Sequence, residues 1–104
     1  MRPALEILGV PIHDVDFVGA CAQVAAWLEA PGAHQIATVN PEFIMTARRD
    51  PAFAVALRQS DLNVPDGVGV LWAARRLGHP LRERVGGADL MLRLCEHAAA
   101  AGWR

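Results

Sequence analysis

Two short apolar runs, each stopping at residues that start a helix, constrain this chain more than anything else in it. "HQIATV", residues 34–39, leads into Asn40-Pro41, and "DLNV", residues 61–64, leads into Pro65-Asp66-Gly67. Runs this short, apolar and β-branched read as strands buried on both faces. Asn accepts a hydrogen bond from the first helical turn, and Pro suits the first helical position because its missing N–H has no partner there anyway. Asp50-Pro51 repeats the device ten residues later, so the intervening segment reads as two short helices, 41–49 and 51–60. A strand, a helical crossover and a second strand make a parallel pair with helices packed on it.

The flanking segments extend the same pattern. "ALEILGVPI", residues 4–12, is apolar but broken by Gly9 and Pro11, and reads as an opening strand or hairpin-like element. Asp16 caps a helix running to about Ala30, with Phe17, Cys21, Val24 and Leu28 on one face. Residues 68–77 read as a helix with Val68, Leu71, Trp72 and Arg75 on one side. "LRERVGG", 81–87, reads as a charged connector, and 88–101 as a last helix with Leu90, Leu94, Ala98 and Ala101 in one stripe. The expected fold class is α/β: a Rossmann-like, three-layer parallel sheet with helices on both faces, in one domain spanning 1–104. Three strands are few for such a sheet, and the pattern stops where a fourth is due.

Composition narrows the partners. Ten arginines, no lysine and eleven acidic residues give a net charge of −1, so no bulk field favours nucleic acid. Cys21 and Cys95 stand apart from any His or Cys at metal-ligand spacing. Both read as buried thiols of a reducing compartment. The first residues lack the apolar core of a secretory leader. Trp27, Trp72 and Trp103 read as core or partner-facing residues.

In open α/β sheets ligands bind beyond the carboxyl ends of the strands. Thr38 and Asn40 stand at one such end, and Asp66 and Gly67 at the next. Helix N-termini follow both ends, which favours an anionic ligand such as a phosphate. Each residue also has a plain structural use. Pro-Asp-Gly is a turn by its chemistry alone, Asn40 serves as a helix cap, and Thr38 as a β-branched strand residue. The functional alternative makes Asp66 a general base in a cleft. Gly86-Gly87-Ala88-Asp89 reads as a turn opening the last helix in preference to a phosphate cradle, and Arg82 and Arg84 as solvated but within reach of a diphosphate. No Ser-His-Asp or Cys-His arrangement is present to suggest acyl transfer.

"GVPIHDVDF", "IATVNPEFIMTARRDPAF", "DLNVPDGVGVLWAARRLG" and "RVGGADLMLRLCEHAA" together resemble the WecG/TagA/CpsF glycosyltransferases, in order and over nearly the whole chain. The resemblance implies an inverting transferase that moves an N-acetylmannosamine-type sugar from a UDP-sugar donor. The acceptor would be polyprenyl-diphosphate-linked N-acetylglucosamine, in cell-surface polysaccharide synthesis such as teichoic acid or exopolysaccharide. Asp66 would deprotonate the acceptor hydroxyl, Thr38 and Asn40 would line the substrate pocket, and Gly67 would let the backbone approach the ligand. No metal and no cofactor are implied. The resemblance also implies that this stretch is the amino-terminal half of a larger domain. It places the enzyme in the cytoplasm or at the inner face of the cytoplasmic membrane, which it would touch through a later segment. An exposed sheet edge left by truncation would favour homo-oligomers. Two other readings stand beside this one: a non-catalytic remnant that only binds or associates, and an unrelated nucleotide-binding module.

Overall fold

The computed structural model describes residues 1–103, and within them the chain is α/β. Four short strands and five helices are found among these residues: β1 (Leu5–Ile7), β2 (Val10–Ile12), α1 (Phe17–Trp27), β3 (Ile36–Val39), α2 (Pro41–Arg49), α3 (Pro51–Gln59), β4 (Leu62–Pro65), α4 (Val68–Arg76) and α5 (Gly87–Ala101). The parallel pair stands as read, with Ile36 opposite Leu62 and Val39 opposite Pro65. Of the two readings for residues 4–12, the hairpin holds, and no third strand joins the parallel pair among the described residues. β1 and β2 form an antiparallel hairpin of their own, with Ile7 opposite Val10. The cause is local. Leu8 and Gly9 both take positive φ, 49° and 85°, which is the turn that folds two strands back on each other with a two-residue loop.

β3 and β4 separate two apolar clusters. Alternation along a strand sends neighbouring side chains to opposite faces. Ala37 and Val39 join the hairpin and Ile44, Ala47, Leu57, Val70 and Ala74 from α2, α3 and α4. Leu62 and Val64 join Phe17, Ala20 and Cys21 of α1 and Leu90 of α5 on the other side. Helices thus cover both faces of the parallel pair.

Helix faces depart from the reading in two places. On α4 the buried residues are Val70 and Ala74; of the side read from the sequence, Val68, Leu71, Trp72 and Arg75, Leu71 is half-buried and Val68 and Trp72 are exposed. Of the two cysteines, Cys21 is buried, and burial pushes its thiol pKa up, whereas Cys95 is exposed. Cys95 lies off the stripe of α5 that turns inward, in which Leu90 is buried and Leu94 and Ala98 are half-buried.

The hairpin docks on β4 through two buried polar residues, His13 and Asn63. Asn63 N–H donates to His13 Nδ1 at 2.9 Å, and His13 N–H donates to the Asn63 carbonyl at 2.9 Å. The imidazole therefore stands where a strand carbonyl would be. Asn63 Nδ2 also donates to the Pro11 and Leu57 carbonyls, at 2.8 and 2.9 Å. Accepting at Nδ1 requires the Nε2–H tautomer, which places that N–H 3.2 Å from the Met1 carbonyl. Burial lowers the His13 pKa below its ordinary value of 6.5. The unfolded chain then takes up the proton first. Stability is expected to be full above about pH 6.5 and to fall as the pH drops toward the depressed folded value, by at most about 1.4 kcal/mol per pH unit. Urea midpoints recorded between pH 7.5 and 5.5 check this, and a midpoint independent of pH over that range contradicts it.

Candidate functional site

The register of the parallel pair brings the two strand ends together. Asp66 N–H donates to the Val39 carbonyl at 2.8 Å, so Asn40 and Asp66 leave the sheet side by side. Asn40 then turns into α2, its Oδ1 accepting from Phe43 N–H at 2.9 Å. Asp66 turns into α4 through Gly67, whose φ of 123° is open to glycine and strained for other residues. The two helix starts touch: a Cβ at Gly69 would lie 2.9 Å from Pro41 Cγ, closer than packing allows.

The connector after α4 completes the site because its backbone and Glu83 are tied down, while the Arg82 and Arg84 side chains stay more than half exposed, as read from the sequence. Arg82 N–H donates to Asp14 Oδ1 at 2.9 Å, and Phe17 N–H donates to Glu83 Oε1 at 2.7 Å. Val85 is fully buried and its N–H donates to the Pro65 carbonyl at 2.7 Å. These ties lay Arg84 and Gly86-Gly87 against the end of β4. Gly87 N–H, at the start of α5, donates to Asp66 Oδ2 at 3.2 Å, and Arg84 Nε lies 3.7 Å from Asp66 Oδ1. Asp66, Arg84, Gly86, Gly87, Ala88 and Asp89 line a cleft of about 230 Å³. Gly87 also faces Thr38. A Cβ there would come within 3.2 Å of both Thr38 Oγ1 and Cγ2, so a side chain at this position would press on Thr38 where α5 meets the strand end.

Of the four residues singled out from the sequence, Thr38 and Asp66 converge on Gly87 from either side. Asn40 is their neighbour on the backbone, but its oxygen is engaged in the α2 cap. The nearest atom to a Cβ at Gly67 is Pro41 Cδ, at 3.4 Å, so this glycine serves the turn and the α2–α4 contact. Arg84, Gly87 and Asp89, read as solvated or as turn residues, belong to the cleft. The signal was present: "RVGGAD" joins an arginine and two glycines immediately before a helix, the composition of a loop that meets another backbone closely.

Chemically the cleft pairs a proton acceptor with anion-friendly groups. The Asp66 side chain keeps about a fifth of its surface exposed. It is oriented by one backbone N–H and flanked by a guanidinium. The open end of α5 and Arg84 favour a negatively charged ligand beside it.

Comparison with known proteins identifies the family. The chain is 33% identical over 94 residues to the N-acetylglucosaminyldiphosphoundecaprenol N-acetyl-beta-D-mannosaminyltransferase of Bacillus spizizenii, covering 85% of this chain and 37% of that relative. It is 29% identical over 89 residues to the protein of the same name from Staphylococcus aureus strain COL, covering 84% of this chain and 35% of that relative. The chain thus spans little more than a third of the length of the curated relatives it matches. The glycosyl transferase WecG/TagA/CpsF family profile matches residues 5–104. With nearly every residue matched and the strand-end cleft in place, the chain belongs to the WecG/TagA/CpsF family of glycosyltransferases.

Proposed function

We propose that this chain carries the acceptor-activating part of an inverting glycosyltransferase. The reaction moves an N-acetylmannosamine-type sugar from a UDP-sugar to polyprenyl-diphosphate-linked N-acetylglucosamine, at the inner face of the membrane that holds the acceptor. The observation that carries this reading is the Asp66 carboxylate, held by Gly87 N–H with Arg84 alongside in an open cleft. Asp66 takes the proton of the acceptor hydroxyl as that oxygen attacks the anomeric carbon from the face opposite UDP. The bond from the anomeric carbon to the diphosphate oxygen breaks, and UDP leaves with the electron pair. Thr38, which lines the neighbouring groove that shares Gly87 with this cleft, orients a sugar hydroxyl, and Asn40, its oxygen held in the α2 cap, contributes through its place beside Asp66. The relatives' name supports the acceptor class, since it specifies a diphosphoundecaprenol-linked N-acetylglucosamine for those proteins.

The test is UDP release from UDP-N-acetylmannosamine by the purified chain, with and without a polyprenyl-diphosphate N-acetylglucosamine. Release that depends on the acceptor is the expected result; none under either condition overturns the reading for this chain. That second outcome would favour an association module. One observation supports that alternative: among the described residues β3 is paired on one side only, beside a groove lined by Ile36, Leu90, Met91 and Leu94.

A further inference from the structure

We propose that Glu83 is a positioning residue for the Asp66 cleft, gripping the start of α1 so that the connector presents Arg84 and Gly87 to the carboxylate; this rests on the reading of Asp66 as the acceptor base. The two groups beside Asp66 do not place themselves. The Arg84 Nε stands 3.7 Å from Asp66 Oδ1 with 58% of its side chain exposed, and Gly87 N–H donates at 3.2 Å. An ion pair this open to solvent holds its partner weakly, and Leu90 is the one buried residue of α5. Their placement therefore comes from the connector between α4 and α5. Two side chains tie that connector to the segment entering α1. Asp14 takes Arg82 N–H at 2.9 Å in an exposed bond, whereas Glu83 Oε1 accepts from Phe17 N–H at 2.7 Å in a part-buried one, across 66 positions of sequence. Water competes less for the second, so it is the firmer tie.

A carboxylate at a helix start has an ordinary use, capping, and here that use is already filled. Asp16 Oδ1 accepts from Gly19 N–H at 2.7 Å and caps α1 from within. The first turn of α1 has no acidic residue of its own, so the Phe17 N–H and the positive end of the helix suit a carboxylate arriving from elsewhere in the chain. What depends on Glu83 is the direction of its neighbour. Residues 83–86 run without helix or turn, and in such a stretch successive side chains face opposite ways. Burial follows that alternation: Glu83 is half-buried at α1, Arg84 is exposed, and Val85 is fully buried in the cluster of Val15, Phe17 and Leu90. Holding Glu83 and Val85 on the α1 side turns Arg84 toward Asp66. The Val85 N–H on the Pro65 carbonyl then sets the level at which Gly86 and Gly87 pass the carboxylate.

The test compares Glu83→Asp, Glu83→Gln and Asp16→Ala in the full chain, by acceptor-dependent UDP release and by the Gly87 amide resonance in nuclear magnetic resonance spectra. Aspartate keeps the charge but is one methylene short; glutamine keeps the reach and an oxygen for Phe17 N–H. Glu83→Asp should lower kcat about tenfold to a hundredfold, the cost of a small misplacement, with the KM for acceptor within about twofold. It should also move the Gly87 resonance toward that of an amide without a carboxylate partner. Glu83→Gln should stay within about threefold of the unaltered kcat, with the resonance in place. Asp16→Ala removes the cap of α1 and should lower the melting point, yet leave kcat and the resonance alone, which separates aim from the stability of that helix. The proposal is overturned if Glu83→Asp behaves as the unaltered chain, if Glu83→Gln fails as badly as Glu83→Asp, or if Asp16→Ala loses rate in the same proportion. Should the unaltered chain release no UDP, the transferase reading falls and the resonance alone decides. Moved by Glu83→Asp and not by the other two substitutions, it upholds the placement; unmoved, it removes that as well.

Discussion

An Asp66→Asn chain should transfer sugar about 10²–10⁴-fold more slowly than the unaltered protein, the usual share of a positioned general base. It should melt within a few degrees of it. The asparagine side chain keeps an oxygen where Oδ2 accepts from Gly87 N–H, so the start of α5 stays held. What disappears is the capacity to take a proton and the charge facing Arg84. Initial rates of UDP release at saturating acceptor, set beside a melting curve, separate the two effects. A rate within about threefold of the original shows that the hydroxyl proton leaves by another route, and Asp66 then reverts to a turn residue. Mechanistically the loss belongs in kcat, because the base acts on an acceptor already in place.

The largest effect on stability is expected at Asn63→Ala. Asn63 is fully buried, and its amide nitrogen serves two buried carbonyls, of Pro11 in β2 and Leu57 in α3. Alanine abandons both and leaves a space in the centre of β4. Each orphaned buried acceptor costs about 1–3 kcal/mol; the Leu57 carbonyl is cushioned because it also accepts from Ser60 N–H at 3.3 Å. A total of about 2–4 kcal/mol corresponds to a melting point lower by about 10–30 °C in a domain of this size. Calorimetry or thermal circular dichroism reads it directly, and a drop below about 3 °C shows that the amide is dispensable. Asn63 also has an unpartnered Oδ1 among the described residues, so the residue is retained for what its nitrogen holds together.

Much of this was legible in the residues themselves. The Asn40-Pro41 and Asp50-Pro51 starts set α2 and α3 where the structure has them, because a cap and a proline are local chemistry that tertiary packing had no reason to override. The parallel pair and the strand-end position of Asp66 were legible for the same reason. Other features were hidden because they depend on partners far along the chain. Nothing local to "DLNV" reveals that Asn63 meets His13, fifty positions away, through both backbone and ring. Likewise "LRER" looks solvated until Asp14 and the start of α1 are brought against it. Of the two readings open for Trp72, core or partner-facing, its exposure removes the first; helical periodicity identifies a stripe without saying whether it faces inward. The small residues Val70 and Ala74 turned out to be what fits against the hairpin.

The last helix is held to the domain by very little. Leu90 is its one buried side chain, with Leu94 half covered, yet its first residue supplies the hydrogen-bond donor on Asp66. Transient lifting of α5 exposes little apolar surface and so needs only a modest free energy. Each such excursion strips the carboxylate of its donor and opens the cleft wall formed by Gly86 to Asp89. If Asp66 is the base proposed above, its readiness is a matter of occupancy, set by the fraction of time α5 lies down.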